Sequence, residues 1–109
     1  MRRVEISPEA RVEITEITTF SRETFGSVGA ARYAKLIQTG LRFAADAPEA
    51  RASRVLSPGI RMLHLRHLPD TLGVKSPRHV LVYRFNAATL DLLHVFQDAM
   101  DLPARLSDV

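Results

Sequence analysis

Acid–base or metal chemistry in this chain would have to start from His64, His67, His79 and His94, the side chains whose ordinary pKa lies nearest neutrality. His64 and His67 fall in a run of alternating character. A spacing of three sends strand side chains to opposite faces, so this pair is not expected to chelate one ion. Each of the four histidines reads more simply as a polar or half-buried sheet residue. Cysteine is absent, which removes thiolate zinc sites, cysteine nucleophiles and disulfides together. The serines sit in no nucleophile elbow, and Pro58-Gly59 reads as a turn rather than a phosphate-binding loop. These residue types form no catalytic constellation, and neither a metal nor another cofactor is expected.

Binding chemistry is better represented. Arginine dominates the 15 basic residues, which stand against 12 acidic ones and leave a net charge of +3. Guanidinium groups hold carboxylates and phosphates through paired hydrogen bonds, so an acidic protein and a nucleic acid are both suitable partners. Arg61, His64, Arg66, Arg78 and Arg84 lie on expected strands or beside a long loop, and could form one basic band that contacts a target. The competing reading is strand solubilisation, with Arg84 paired to Asp91 across a hairpin. Leu36 and Phe43, seven residues apart on an expected helix, could join Leu102 and Leu106 in a groove for a partner's amphipathic segment; internal packing is the alternative. Tyr83 shares a strand face with His79, Leu81 and Phe85 and belongs in the core.

The elements that must carry these residues are legible as a change of period. Val4 and Ile6 alternate with charged neighbours as one short strand, and Ser7-Pro8-Glu9 supplies an N-cap, a proline for the first helical position and an early carboxylate. Ala10, Ile14, Ile17, Ser21 and Phe25 then share a helical face, and Gly26 stops the run. After Ser27, the residues Ala30, Tyr33, Ala34, Ile37, Leu41 and Ala44 recur at helical spacing until Pro48. So short a connection predicts an antiparallel helical hairpin. From Ile60 the period is two: Ile60 to His67, His79 to Phe85 and Leu90 to Phe96 read as a three-strand meander, with a long loop from Leu68 to Pro77.

Helices followed by strands, rather than alternating with them, point to an α+β domain. The expected architecture is a short N-terminal strand and a helical hairpin packed on a twisted antiparallel sheet (β-α-α-β-β-β), ending in a short C-terminal helical tail. At 109 residues, 46% hydrophobic and 25% charged, residues 1–109 read as one globular domain. Glu5 and Pro8 interrupt any signal-peptide core behind Arg2 and Arg3, and no stretch approaches membrane-spanning length, so a cytoplasmic location is expected.

Taken in order, Ile6-Ser7-Pro8-Glu9-Ala10, Phe25-Gly26, Tyr33 and Ala47-Pro48 resemble the opening half of the ParE branch of the RelE/ParE toxin superfamily. The second half continues the resemblance through Leu56-Ser57-Pro58-Gly59-Ile60-Arg61, Arg78-His79-Val80-Leu81-Val82-Tyr83-Arg84 and the segment from Leu93 to Leu102. It covers Val4 to about Leu106 and rests on order and spacing rather than on any single motif.

The resemblance implies the toxin of a type II toxin–antitoxin pair, of the kind tied to plasmid stabilization. Such a toxin is held in a hetero-oligomer by a ParD-like antitoxin with a ribbon-helix-helix end, and reaches operator DNA only through that antitoxin. For the ParE branch it implies poisoning of DNA gyrase, with no enzymatic activity and no membrane partner. The RelE branch, which cleaves messenger RNA on the ribosome, is the alternative, and a non-toxic degenerate binding module is another. Gln97, Asp98, Ala99, Met100 and Asp101 stand where RelE-like nucleases carry an arginine and then an aromatic acid–base group, which weighs against cleavage. Gln97 also departs from the histidine common in the ParE pattern.

Overall fold

The structure, a computed structural model, describes residues 2–98. Strand β1, Arg3–Ile6, leads straight into helix α1, Pro8–Asp46. The predicted start signal works as expected: Ser7 has extended backbone, its Oγ accepts the Ala10 N–H at 3.0 Å, and Pro8 fills a position that needs no donor. The same Oγ donates to the Leu93 carbonyl at 2.7 Å, tying the helix to the sheet.

Gly26 interrupts α1 with φ 80° and ψ 177°, a conformation that only glycine adopts without strain. Straight, the 39 residues would span about 58 Å, yet the longest dimension of the molecule is 38 Å. Both arms serve one core: Ala10, Ile14 and Ile17 precede the kink, while Leu36, Ile37, Leu41 and Ala44 follow it. The expectation of two separate helices is thereby corrected to one helical run folded at a single residue, since Ser27 re-enters the helix with no loop between. A Cβ on Gly40 would come within 2.7 Å of Leu65 Cδ2, so this glycine sets how closely the second arm approaches the layer below.

The sheet has five strands in the order β1-β5-β4-β3-β2. Strands β3 (Ile60–His64), β4 (His79–Phe85) and β5 (Thr89–Gln97) form the predicted meander. Two features differ from expectation. Strand β2, Ser53–Ser57, extends the meander at its far edge; its polar, arginine-bearing sequence hides it between two turn signals. β1 pairs with β5 in parallel, so the sheet is mixed rather than antiparallel. The strand expected to run to His67 ends at His64, and Leu65–His67 is a 3-10 turn capped by His64, whose Nδ1 accepts the Arg66 N–H at 3.1 Å. Residues three apart eclipse in such a turn. His64 and His67 therefore sit side by side, ring centroids 5.9 Å apart, and not on opposite faces.

Alternation along β4 separates the two faces. Leu81 and Tyr83 join Leu90, Leu92 and Val95 under α1, and the buried Tyr83 donates its O–H to the Pro48 carbonyl at 2.6 Å. Val80, Val82 and Phe96 cluster on the opposite face with Leu56, Ile60 and Met62. Register shifts at Leu93, where Val82 pairs with His94 and Tyr83 with Leu92, which keeps both faces consistent across the bulge. Past the end of β1, Glu13 substitutes for a strand: its Oε1 accepts the Val95 N–H at 2.8 Å and its Oε2 lies 3.2 Å from His94 Nδ1. The predicted C-terminal helical tail lies outside the described residues.

Candidate functional site

The Gly26 kink creates surface that a straight helix would lack. Phe20, Phe25 and Val28 are 62%, 68% and 72% exposed, large values for apolar side chains clustered on one bend. With Gly29, Tyr33 and Val74 they line a groove of about 620 Å³ whose rim carries Arg32, Lys75 and Arg78. Among the described residues no carboxylate lines it. Phe25 was expected among the core-facing residues of the first arm; it is exposed because the chain reverses one residue later and nothing lies opposite it. Part of the long loop closes one side of the groove. Leu72 holds a positive φ of 57° there, with its N–H bonded to Asp70 Oδ1 at 2.8 Å.

At the base of the groove the Tyr33 hydroxyl lies 2.6 Å from His79 Nδ1 and accepts the Arg78 N–H at 3.2 Å. The hydroxyl and Nδ1 thus share one hydrogen bond, with the Arg78 N–H as a second contact of the same oxygen. Burial sets both titrations: it raises the Tyr33 pKa and lowers that of His79. Both shifts favour the uncharged forms of Tyr33 and His79.

A second cluster lies at the ends of β3 and β5. His64 Nε2 stands 3.0 Å from Asp98 Oδ2 while its Nδ1 accepts the Arg66 N–H, so the ring is a neutral Nε2–H tautomer with both nitrogens engaged. Burial holds the His64 pKa below its usual value, and the hydrogen bond from His64 holds the Asp98 carboxyl below its own. A histidine so bonded cannot take a proton from a substrate without giving up one of these bonds. Among the described residues no group of three or more His, Cys, Asp or Glu is placed to hold a metal ion, and no helix is long and apolar enough to cross a membrane.

The expected basic band divides. Arg84 and Asp91 face each other across the hairpin, Nε to Oδ2 3.5 Å, on the sheet face away from α1. Arg78 lies 4.0 Å from Asp98 Oδ1, and Arg66 is exposed beside His67. Arg61 turns the other way: it pairs with Tyr83 and donates to Ser53 Oγ at 2.9 Å, beneath the core-facing side. Leu36 is fully buried and Phe43 packs against the same core, so neither offers the partner groove expected of them; Leu102 and Leu106 lie outside the described residues. Internal packing, the alternative weighed for that stripe, is what the fold uses.

Sequence reasoning missed Arg54, Tyr33 and the aromatic pair Phe20 and Phe25 as surface or site residues, and it weighed His79 and Asp98 without the partners, Tyr33 and His64, that the fold gives them. The available signal was Phe25-Gly26 itself: an aromatic next to a glycine stop lies at the tip of a reversal.

No family model and no curated protein sequence matches the chain. Among solved structures, it is similar to a chain of the chromosomal ParDE TA system from P. aeruginosa, with a TM-score of 0.67 and 15% identity over 89% of this chain and 96% of that one. At that identity the likeness establishes the fold, which is the α+β fold of a toxin–antitoxin chain. The ParE resemblance read from the sequence is borne out at that level.

Proposed function

We propose that the chain is the toxin of a ParDE-type, type II toxin–antitoxin pair, neutralised in a hetero-oligomer by a ParD-like ribbon-helix-helix antitoxin, and that it acts in the cytoplasm by binding and poisoning DNA gyrase rather than by catalysis. The groove at the Gly26 kink carries this reading. Its exposed Phe20, Phe25 and Val28 need an apolar partner, and Arg32, Lys75 and Arg78 on its rim favour acidic residues in that partner. The likeness to a chain of a ParDE system supports the pairing. Among the described residues, His64 has both ring nitrogens occupied, which supports inhibition over cleavage.

Inducible expression tests it. Growth arrest with DNA-damage signalling is expected, relieved when an adjoining frame encoding a ribbon-helix-helix protein is co-expressed, together with loss of gyrase supercoiling by the purified chain. Arrest with messenger cleavage and intact supercoiling would overturn it in favour of a nuclease, and no arrest would leave only a non-toxic binding module. Phe25→Asp should abolish rescue by the antitoxin while leaving the arrest itself intact.

A further inference from the structure

The groove at the Gly26 kink is walled on two sides as well as apolar. The bend of α1, with Phe20, Phe25 and Val28, faces the end of the long loop across it. A Cβ on Gly29 would meet Phe25 Cβ at 2.7 Å, so a glycine at that position is what lets Phe25 fold back over the second arm. A Cβ on Gly73 would lie 4.0 Å from Arg32 Nη1, which places the Arg32 guanidinium beside the loop, on the opposite wall from the helix that carries it.

Charge and hydrocarbon are segregated in this space. Arg32 and Lys75 have no hydrogen-bond or ion-pair partner among the described residues, and the Arg78 side chain approaches only Asp98, at 4.0 Å. The polar atoms at the base are committed to one another: the Tyr33 hydroxyl lies 2.6 Å from His79 Nδ1 and takes the Arg78 N–H. What faces the interior is phenyl and aliphatic surface. A volume of about 620 Å³ suits a small molecule. The ligand that satisfies both parts has one anionic head at the rim and an unbranched apolar body inside. A molecule polar along its whole length would bury groups that find no partner there.

We propose that the groove binds a medium-chain aliphatic carboxylate, with its head between Arg32 and Lys75 and its chain against Phe20, Phe25 and Val28. A guanidinium holds a carboxylate through paired, charge-assisted hydrogen bonds, and the hydrocarbon is held by its removal from water. The assignment rests on the proposed function in one respect: the antitoxin's apolar segment would meet the same surface, so the two occupants exclude each other and the carboxylate weakens neutralisation.

Calorimetric titration of the purified chain, without antitoxin, tests it with octanoate, butyrate and 1-octanol, each below the concentration at which it aggregates. Octanoate should bind at least about fiftyfold more tightly than butyrate, because four more methylene groups leave water. It should bind at least about fivefold more tightly than 1-octanol, which lacks the charge. Arg32→Gln should weaken octanoate about fivefold and leave 1-octanol unchanged, whereas Phe25→Ala should weaken both about tenfold. Both side chains are exposed, so neither substitution should shift the thermal midpoint. Arg11→Gln, on the exposed side of α1, should change nothing. Octanoate bound no more tightly than butyrate or 1-octanol overturns the site, as does binding that survives both Arg32→Gln and Phe25→Ala. So does no binding of any probe; if the chain then associates with phosphatidylglycerol vesicles, the bend is a membrane-docking surface instead. Octanoate binding as expected, with no rescue by a co-expressed antitoxin, would sustain this site while the proposed function falls.

Discussion

Under α1, Leu81, Tyr83, Leu90 and Leu92 are fully excluded from solvent and meet Leu36 and Ile37 across the layer. On the opposite face the same two central strands present Val80, Val82 and Phe96 as an apolar strip, with Arg84, His64, His94 and Asp98 disposed around it. One face is saturated with hydrocarbon; the other keeps titratable groups in defined hydrogen bonds. The division follows from period-two alternation, and the bulge at Leu93 preserves it while β5 changes from pairing beside β1 to meeting Glu13. Val80 and Val82 are nevertheless as buried as Leu81 and Tyr83, so binding can be altered apart from stability only at the exposed positions around the strip, such as Arg84.

The largest effect should come from the saturated face. Leu36→Ala removes a fully buried side chain where the layers are already in contact, and should lower the unfolding free energy by about 2–5 kcal/mol in a denaturant titration. A loss below about 1 kcal/mol would mean that Leu36 is not the core residue described here. Gly26→Ala ranks next. Nothing lies within 4 Å of the added Cβ, so the effect is wholly conformational: φ of 80° with ψ of 177° should make it about 1–3 kcal/mol destabilising. If Gly26→Ala is as stable as the parent, the fold in α1 does not depend on that conformation.

The saturated face was also the legible one. Helical spacing of Ile37, Leu41 and Ala44, the Ser7-Pro8 start and the alternation of β4 follow from local rules, and all appear where those rules place them. What escaped depended on tertiary context. His64 and His67 look divergent only if the strand continues; a turn of three residues, whose cap is the His64 ring itself, brings them together. Leu36 and Phe43 form a stripe that could serve a partner or the core, and only the position of the sheet decides. Phe25 continues a core-facing pattern up to the kink, where the surface it would have covered ends. Asp98 weighed as a bare repulsive charge in sequence, but acquires a partner, His64, from a strand 34 positions away.

Acid should reach both faces, through different histidines. His79 in the groove and His64 on the opposite face both have pKa values lowered by burial. Below the ordinary imidazole value, about 6.5, the unfolded chain takes up protons that the folded chain refuses. Stability should therefore be level above pH 7 and fall as the pH drops through 6 toward 5. Asp98, whose pKa is depressed chiefly by the His64 hydrogen bond, adds a further loss of the same sign only below the ordinary carboxylate range. Urea midpoints at pH 7.5, 6 and 5 measure the first phase, and His79→Gln should reduce it. A midpoint that rises on acidification would show that these imidazoles are protonated in the folded chain.

The smallest stability effect separates two arginines on opposite faces of the sheet. Arg84 and Asp91 are 3.5 Å apart with side chains 63% and 33% exposed, an ion pair that water screens and that should contribute less than about 0.5 kcal/mol. Arg61 instead reaches under the core-facing side to Ser53 Oγ, which also lies 2.9 Å from the Ala50 carbonyl and 3.0 Å from that of Pro48, the acceptor for Tyr83. Removing that guanidinium takes a hydrogen bond from a connected, partly buried network, so Arg61→Ala should be destabilising by about 1 kcal/mol, clearly more than Arg84→Ala. If the face that carries Arg84 is the one that meets gyrase, the order reverses in a supercoiling assay, with Arg84→Ala losing more inhibition than Arg61→Ala once both are compared at equal folded concentration. Equal loss of inhibition by the two variants would mean that the faces do not divide stability from binding at these positions.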